Sequence, residues 1–152
     1  MYLTQASNEN VIELMSWFNN KDELETWAGP NFNYPFSLAT FKRDLNINVS
    51  KSFALLSING DFLGFGQYYL KFEKCHLARL VVNPRFRGKG IATHLITQLL
   101  TIGKPDLNTD SCSLFVFAHN IKAIKTYSKL GFSEAEYPEQ ITIENCLYMV
   151  QA

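Results

Sequence analysis

The sequence is short of several things, and each shortage closes off a class of protein. It has no excess of either charge: 14 Lys and Arg balance 14 Asp and Glu across 152 residues, so the global basic field of a nucleic-acid binder is missing. No segment approaches the ~20 consecutive apolar residues of a membrane span. Met1-Tyr2-Leu3-Thr4-Gln5 lacks the basic stretch and apolar run of a signal peptide. Cysteine is scarce, and Cys75, Cys112 and Cys146 lie far apart with no Cys-x-x-Cys pair. That argues against a zinc site or a disulfide framework and fits core thiols in a reducing cytoplasm. Linkers, repeats and low-complexity tracts are also missing. The expectation is a single domain over residues 1–152, cytoplasmic, with no metal, no nucleic-acid partner and no membrane partner.

What is present is apolar and patterned. With 47% hydrophobic and 14% aromatic residues, the chain can bury a core without staples. Ser7 is placed to cap a helix carrying Val11, Leu14, Met15 and Phe18 at helical spacing. A second short helix over 21–27 should stop at Gly29-Pro30, and Ser37 should open a third, through about Asn46. Strand patterns then take over. Residues 53–58 and 62–69 flank Asn59-Gly60, a pair suited to a type I′ hairpin turn. A strand over 75–82 follows, then a helix over 90–102 expected to end at Gly103 ahead of Pro105. The apolar run 111–118 reads as a strand covered on both faces. A helix over 120–130 ends at Gly131, and residues 132–136 and 141–150 supply two last strands.

Charge that is balanced globally is concentrated at one place. In Val82-Asn83-Pro84-Arg85-Phe86-Arg87-Gly88-Lys89-Gly90-Ile91-Ala92 a strand runs through a basic, glycine-bearing turn into a helix. Such a turn aims backbone N–H groups and the positive end of a helix dipole at one spot, which suits a phosphate. Two familiar phosphate loops fail against it. The dinucleotide pattern G-x-G-x-x-G needs glycine where Thr93 stands, and a P-loop needs Ser or Thr where Gly90 stands. A second segment, Asn120-Ile121-Lys122-Ala123-Ile124-Lys125-Thr126-Tyr127-Ser128-Lys129-Leu130-Gly131-Phe132, begins on a good N-cap residue and ends on a good helix stop.

Together the two segments resemble the hallmarks of the GCN5-related N-acetyltransferase (GNAT) superfamily. Arg87-Gly88-Lys89-Gly90-Ile91-Ala92 is similar to its Arg/Gln-x-x-Gly-x-Gly/Ala motif, which wraps the pyrophosphate of acetyl-coenzyme A, although the frame beginning at Arg85 also fits. The second segment matches Asn-x-x-Ala-x-x-x-Tyr-x-x-x-Gly-Phe at every named position. The resemblance implies an α/β fold with a mostly antiparallel mixed sheet, a parallel central pair that splays, and about four flanking helices. It also implies an acetyl-CoA-dependent N-acetyltransferase that moves an acetyl group to a primary amine by direct attack in a ternary complex, as a monomer or homodimer. The acceptor would be a small-molecule or peptide amine.

By the same resemblance, Leu80, Val81 and Val82 offer backbone groups to the pantetheine and the acetyl carbonyl. Arg87, Gly88, Lys89, Gly90, Ile91, Ala92 and Thr93 hold the pyrophosphate, Asn120 bonds the pantetheine arm, and Tyr127 is the proton donor to the departing thiolate. Some members of the family place a glutamate base on the strand before the glycine turn, and the matching position is His76, with Glu73 and Glu25 as weaker candidates. The glutamate that others carry five residues before the asparagine is replaced by Phe115. That departure leaves open a non-catalytic acyl-CoA sensor. Substrate choice is expected to reside in the aromatic loop with Trp27, Phe32, Tyr34 and Phe36 and in the stretch 137–140.

Overall fold

The computed structural model describes residues 1–152. A seven-stranded sheet forms its centre, with strands in the order β1 (Tyr2–Gln5), β2 (Lys51–Leu56), β3 (Phe62–Lys71), β4 (Lys74–Val82), β5 (Cys112–Phe117), β7 (Cys146–Gln151), β6 (Ser133–Glu134). Every neighbouring pair is antiparallel except β4 and β5. The helices are α1 (Asn8–Met15), α2 (Lys21–Ala28), α3 (Leu38–Asp44), α4 (Ile91–Asp106) and α5 (Ile121–Lys129), the five that the sequence pattern suggests.

Local chemistry explains where the helices begin. Ser7, Asn20 and Ser37 each accept a backbone N–H through the side chain, and Asn10 and Thr40 return the bond to close capping boxes at α1 and α3. The first three helices cover one face of the sheet, burying Val11, Leu14, Leu24, Phe41 and Leu45 against Ala54, Phe62 and Phe65. Helix α4 covers the other face through Ile91, Leu95, Ile96 and Leu99, with Ala123, Ile124 and Tyr127 of α5 packed against the same cluster. Full burial of a leucine such as Leu95 or Leu99 contributes about 1.5–3 kcal/mol.

Three expectations are corrected by the backbone. The β2–β3 turn is not type I′: Gly60 has φ 89°, but Asn59 is not left-handed. The turn closes through Gly60 N–H to the Ser57 carbonyl, and Ser57 N–H to the Asp61 carbonyl, a type I turn followed by a left-handed glycine. The two-residue turn with both residues left-handed lies instead at Phe72 (φ 47°) and Glu73 (φ 62°), between Lys71 and Lys74. The last strands are shorter than expected, because residues 135–145 form a loop over the sheet face rather than strand.

Helix α4 does not stop at Gly103. It runs through Gly103 and Pro105 to Asp106. Gly103 is buried, and a Cβ there would stand 2.8 Å from Cys75 Sγ and 3.3 Å from the Tyr68 ring. Glycine serves close helix-to-sheet approach at this position, not termination. Gly103→Ala should therefore lower stability by about 1–2 kcal/mol, a fall of about 3–6 °C in Tm, although helix propensity alone would raise it. Thermal denaturation decides between the two signs.

Candidate active site

The site is made by a parting of the two central strands. β4 and β5 pair only at Cys75–Cys112, His76–Ser113 and Leu77–Leu114, yet β4 continues to Val82 and β5 to Phe117. On its other edge β4 loses register with β3. Val81 faces Phe65 and Ala78 faces Gln67, so Arg79 and Leu80 together oppose Gly66. Arg79 is left-handed at φ 51°. This extra residue is a bulge, and a bulge bends and twists its strand locally. Beyond Leu77 the β5-facing backbone groups of β4 have no strand partner, and Leu80, Val81 and Val82 line one side of the gap.

Beyond the gap, Asn83 is buried and donates from Nδ2 to the Phe62 carbonyl at 2.9 Å, while its Oδ1 accepts the Arg85 N–H at 3.0 Å. That clamp fixes a short 3₁₀ turn, Pro84–Phe86, and aims the chain at α4. Gly88 (φ 80°) and Gly90 (φ 75°) are both left-handed, and an added Cβ at either would meet nothing within 4 Å. The glycines are required by conformation, and the space above them is open. Gly90 is the N-cap of α4 and supplies no side-chain bond to the helix's first N–H groups. Those donors and the dipole of a 16-residue helix face the opening. Ile91, Ala92 and Thr93 form its first turn. Arg87 donates from Nε to the Val82 carbonyl at 3.3 Å, and Arg85 and Lys89 flank the Phe86 ring at 5.5 and 5.7 Å. An open cradle of this kind, rich in N–H groups and cations, fits a pyrophosphate.

On the far side of the gap, α5 follows β5 directly. Asn120 caps α5 by accepting the Ala123 N–H at 3.3 Å through Oδ1, so its carboxamide N–H groups remain for a ligand. Tyr127 lies about two turns on, with its ring 6.1 Å from Phe132. Burial pushes its phenol up to about 12.

His76 is placed differently from a solvent-facing base. It is 1% exposed, its Nδ1 lies 2.8 Å from Ser113 Oγ, and the rings of Tyr69 and Phe115 stand 5.2 and 5.0 Å away. Burial, and then the charges of Lys71 and Arg79, push its pKa down to about 3. Glu73 sits in the tight turn at the opposite end of β4 from the gap, and Glu25 is engaged by Lys21 at 3.6 Å.

The aromatic loop also differs from its expected role. Trp27 stacks on Phe18 at 4.5 Å and on Phe41 at 6.0 Å, and Phe32 is 6% exposed between Trp27 and Phe41. These two rings plug the core beneath α1–α3. Tyr34 remains exposed. The sequence reading missed Lys71 and Arg79, which share the sheet face of His76. The alternation Gln67, Tyr69, Lys71 along β3 was the available signal for Lys71; the left-handed bulge at Arg79 has none.

The position of His76 gives a pH dependence to stability. In the unfolded chain the imidazole takes up a proton below about 6.5, whereas in the folded protein it does so only near 3. Between these values the unfolded state binds more protons, so stability falls as the pH falls through that window, by at most about 1.4 kcal/mol per pH unit from this group. Urea denaturation between pH 4 and 7 should show the slope, and His76→Gln should flatten it.

A family model described as "Acetyltransferase (GNAT) family" matches residues 21–132. The chain is 27% identical over 116 residues to a putative phosphinothricin acetyltransferase of Bacillus subtilis (strain 168), covering 75% of this chain and 63% of that protein. It is 38% identical over 55 residues to the spermidine N(1)-acetyltransferase of Escherichia coli (strain K12), covering 36% of this chain and 30% of that one. It therefore spans less than two thirds of the length of these curated relatives. A crystal structure of the spermidine N-acetyltransferase from Vibrio cholerae, in complex with CoA and spermine, superimposes with a TM-score of 0.76 at 20% identity, over 98% of this chain and 93% of that one. The match over residues 21–132 takes in the bulged strand, the glycine turn and the Asn120 helix, and the chain belongs to the acetyltransferase (GNAT) family.

Proposed function

We propose that the protein is an acetyl-CoA-dependent N-acetyltransferase in which a primary amine attacks the thioester directly within a ternary complex. The observation that carries the reading is the gap between β4 and β5, opening onto the glycine-capped start of α4 in a chain of this family. Gly88 to Thr93, with Arg87 and Lys89, bind the pyrophosphate. The free β4 backbone at Leu80, Val81 and Val82 takes the pantetheine arm as an added strand would, and Asn120 bonds that arm from the other side.

In the reaction the neutral amine nitrogen bonds to the carbonyl carbon and gives up one N–H proton to water, the C–S bond breaks, and the departing thiolate takes up a proton. A backbone N–H at Val81 or Val82 stabilises the oxyanion. Tyr127 supplies the proton and is recharged from solvent. With its phenol near 12 and a thiol near 8.5, full transfer to the released thiolate is uphill by about 5 kcal/mol. Tyr127 therefore donates a hydrogen bond to sulfur and gives up its proton as the C–S bond breaks.

His76 takes no proton in this scheme. A buried imidazole with a pKa near 3 is too weak a base to help an alkyl amine of pKa about 10.4. It bonds Ser113 and packs against Phe115, which positions the floor of the acceptor side. The same weakness favours one second reading, an acyl-CoA sensor that binds the cofactor and turns nothing over.

Thermal shift with acetyl-CoA, followed by thiol release across a panel of amines, separates the readings. Stabilisation with amine-dependent thiol release supports the enzyme, and stabilisation with no release supports the sensor. Failure of any CoA ester to stabilise the protein removes both. Tyr127→Phe should lower kcat by about 10²-fold or more while leaving the KM for acetyl-CoA within about twofold, because the lost hydroxyl acts only on the leaving group.

A further inference from the structure

The face of the sheet opposite α4 carries two cations near His76, and neither has a counter-ion. The chain's ion pairs are Lys21–Glu25, Arg43–Asp44 and Lys51–Asp106; Lys71 and Arg79 take part in none. The Lys71 ammonium is held at 5.3, 5.6 and 5.9 Å from the ring centroids of Phe115, Tyr137 and Tyr69. Phe115 and Tyr69 are the rings that flank His76. Arg79 lies over Phe32 at 5.5 Å and donates from Nη1 to Gln67 Oε1 at 2.9 Å, and its Nε–H is buried with no partner. The Tyr148 hydroxyl, behind Phe115, is likewise buried and unpartnered.

The carboxylates that act on these cations do not neutralise them. Asp44 is already held by the Asn33 N–H at 2.9 Å and by Arg43 at 3.6 Å, and Glu139 lies exposed in the loop 135–145. An unpaired guanidinium half-buried against aromatic rings is costly unless an anion completes it. The loops after α2 and before β7 approach each other, since a Cβ on Gly29 would stand 3.9 Å from Ile143 Cδ1.

Resting on the N-acetyltransferase reading, we propose that the acceptor is an amine that also bears a carboxylate, of the amino-acid class, recognised by Lys71 and Arg79. The same two cations exclude polyamines. Two consequences of one field support this. A guanidinium with free N–H groups and a fixed ammonium attract a carboxylate and repel a polycation. They also disfavour the protonated form of any amine placed beside them, as they do for His76, whose pKa burial lowers first and these charges lower further. The neutral nucleophile is then produced without a protein base, and that accounts for a site with Phe115 where a glutamate base would stand.

The test compares kcat/KM by thiol release for free amino acids, the matching amino-acid amides and spermidine, in wild type, Lys71→Met and Arg79→Gln. The expected result is a preference of about tenfold or more for the free acid over its amide, with spermidine poorest. Either substitution should shrink the acid-to-amide ratio toward one. Lys71 is at a strand end and half-buried, so Lys71→Met decides the matter if Arg79→Gln does not fold. Use of amides or spermidine as well as the acids overturns the proposal, and so does an acid-to-amide ratio unchanged in Lys71→Met. Stabilisation by acetyl-CoA with thiol release from no carboxylate-bearing amine overturns it too. Absence of any acetyl-CoA stabilisation is a different failure, that of the underlying reading, and takes this inference with it.

Discussion

The separation of β4 from β5 after Leu77 is the constraint on which the rest of the structure depends. It arises at Arg79, a non-glycine residue held left-handed at φ 51° in a bulge opposite Gly66, a conformation that costs about 1–2 kcal/mol. The surrounding packing holds it there. A Cβ on Gly66 would fall 2.9 Å from Leu80 Cδ2 and 2.6 Å from Leu99 Cδ1, so the bulged strand and α4 are seated on the bare backbone of β3. Were β4 regular, it would pair with β5 along its length and the sheet would close. Bent, it leaves free backbone on one side and delivers the chain to the glycine turn at the mouth of the gap.

Electrostatics divide along the two sides of that gap. Arg85, Arg87 and Lys89, exposed around left-handed glycines, suit a mobile, highly charged ligand that arrives from water. Lys71 and Arg79 are fixed among rings, where fewer waters screen them and a field acts more strongly on whatever binds. A chain of zero net charge thus contains two local concentrations of positive charge. His76 shows what burial does within such a region. It keeps its hydrogen bond to Ser113 and loses the basicity its residue type ordinarily brings.

Much of the fold was legible because short-range chemistry decided it. Ser7 and Ser37 cap the helices they seemed placed to cap, and the left-handed glycines before α4 and the Asn120 cap stand where the motifs put them. Legibility failed where the same residue type serves two physical purposes. Gly103 read as a helix stop because glycine often ends helices, but against Cys75 and Tyr68 it is the absence of a Cβ that matters. Asn59-Gly60 read as a type I′ turn, yet the tight two-residue turn fell to Phe72 and Glu73, which have no propensity for it and are held there by the pairing of β3 with β4. Phe32 read as part of a substrate-selecting loop but is buried in the core, with Trp27 partly buried against the same cluster.

The sequence by itself determined the order of elements, the glycine turn that opens α4 and the family, because caps, turns and a contiguous motif act over a few residues and need no distant partner. The tertiary structure alone decided the parting of the strands, the burial of His76 and the gathering of Lys71 and Arg79 on one face. These depend on contacts between residues far apart in the chain, and on the water those contacts exclude. A residue's type sets its chemistry in water, but the neighbours that replace the water set its charge and its reach.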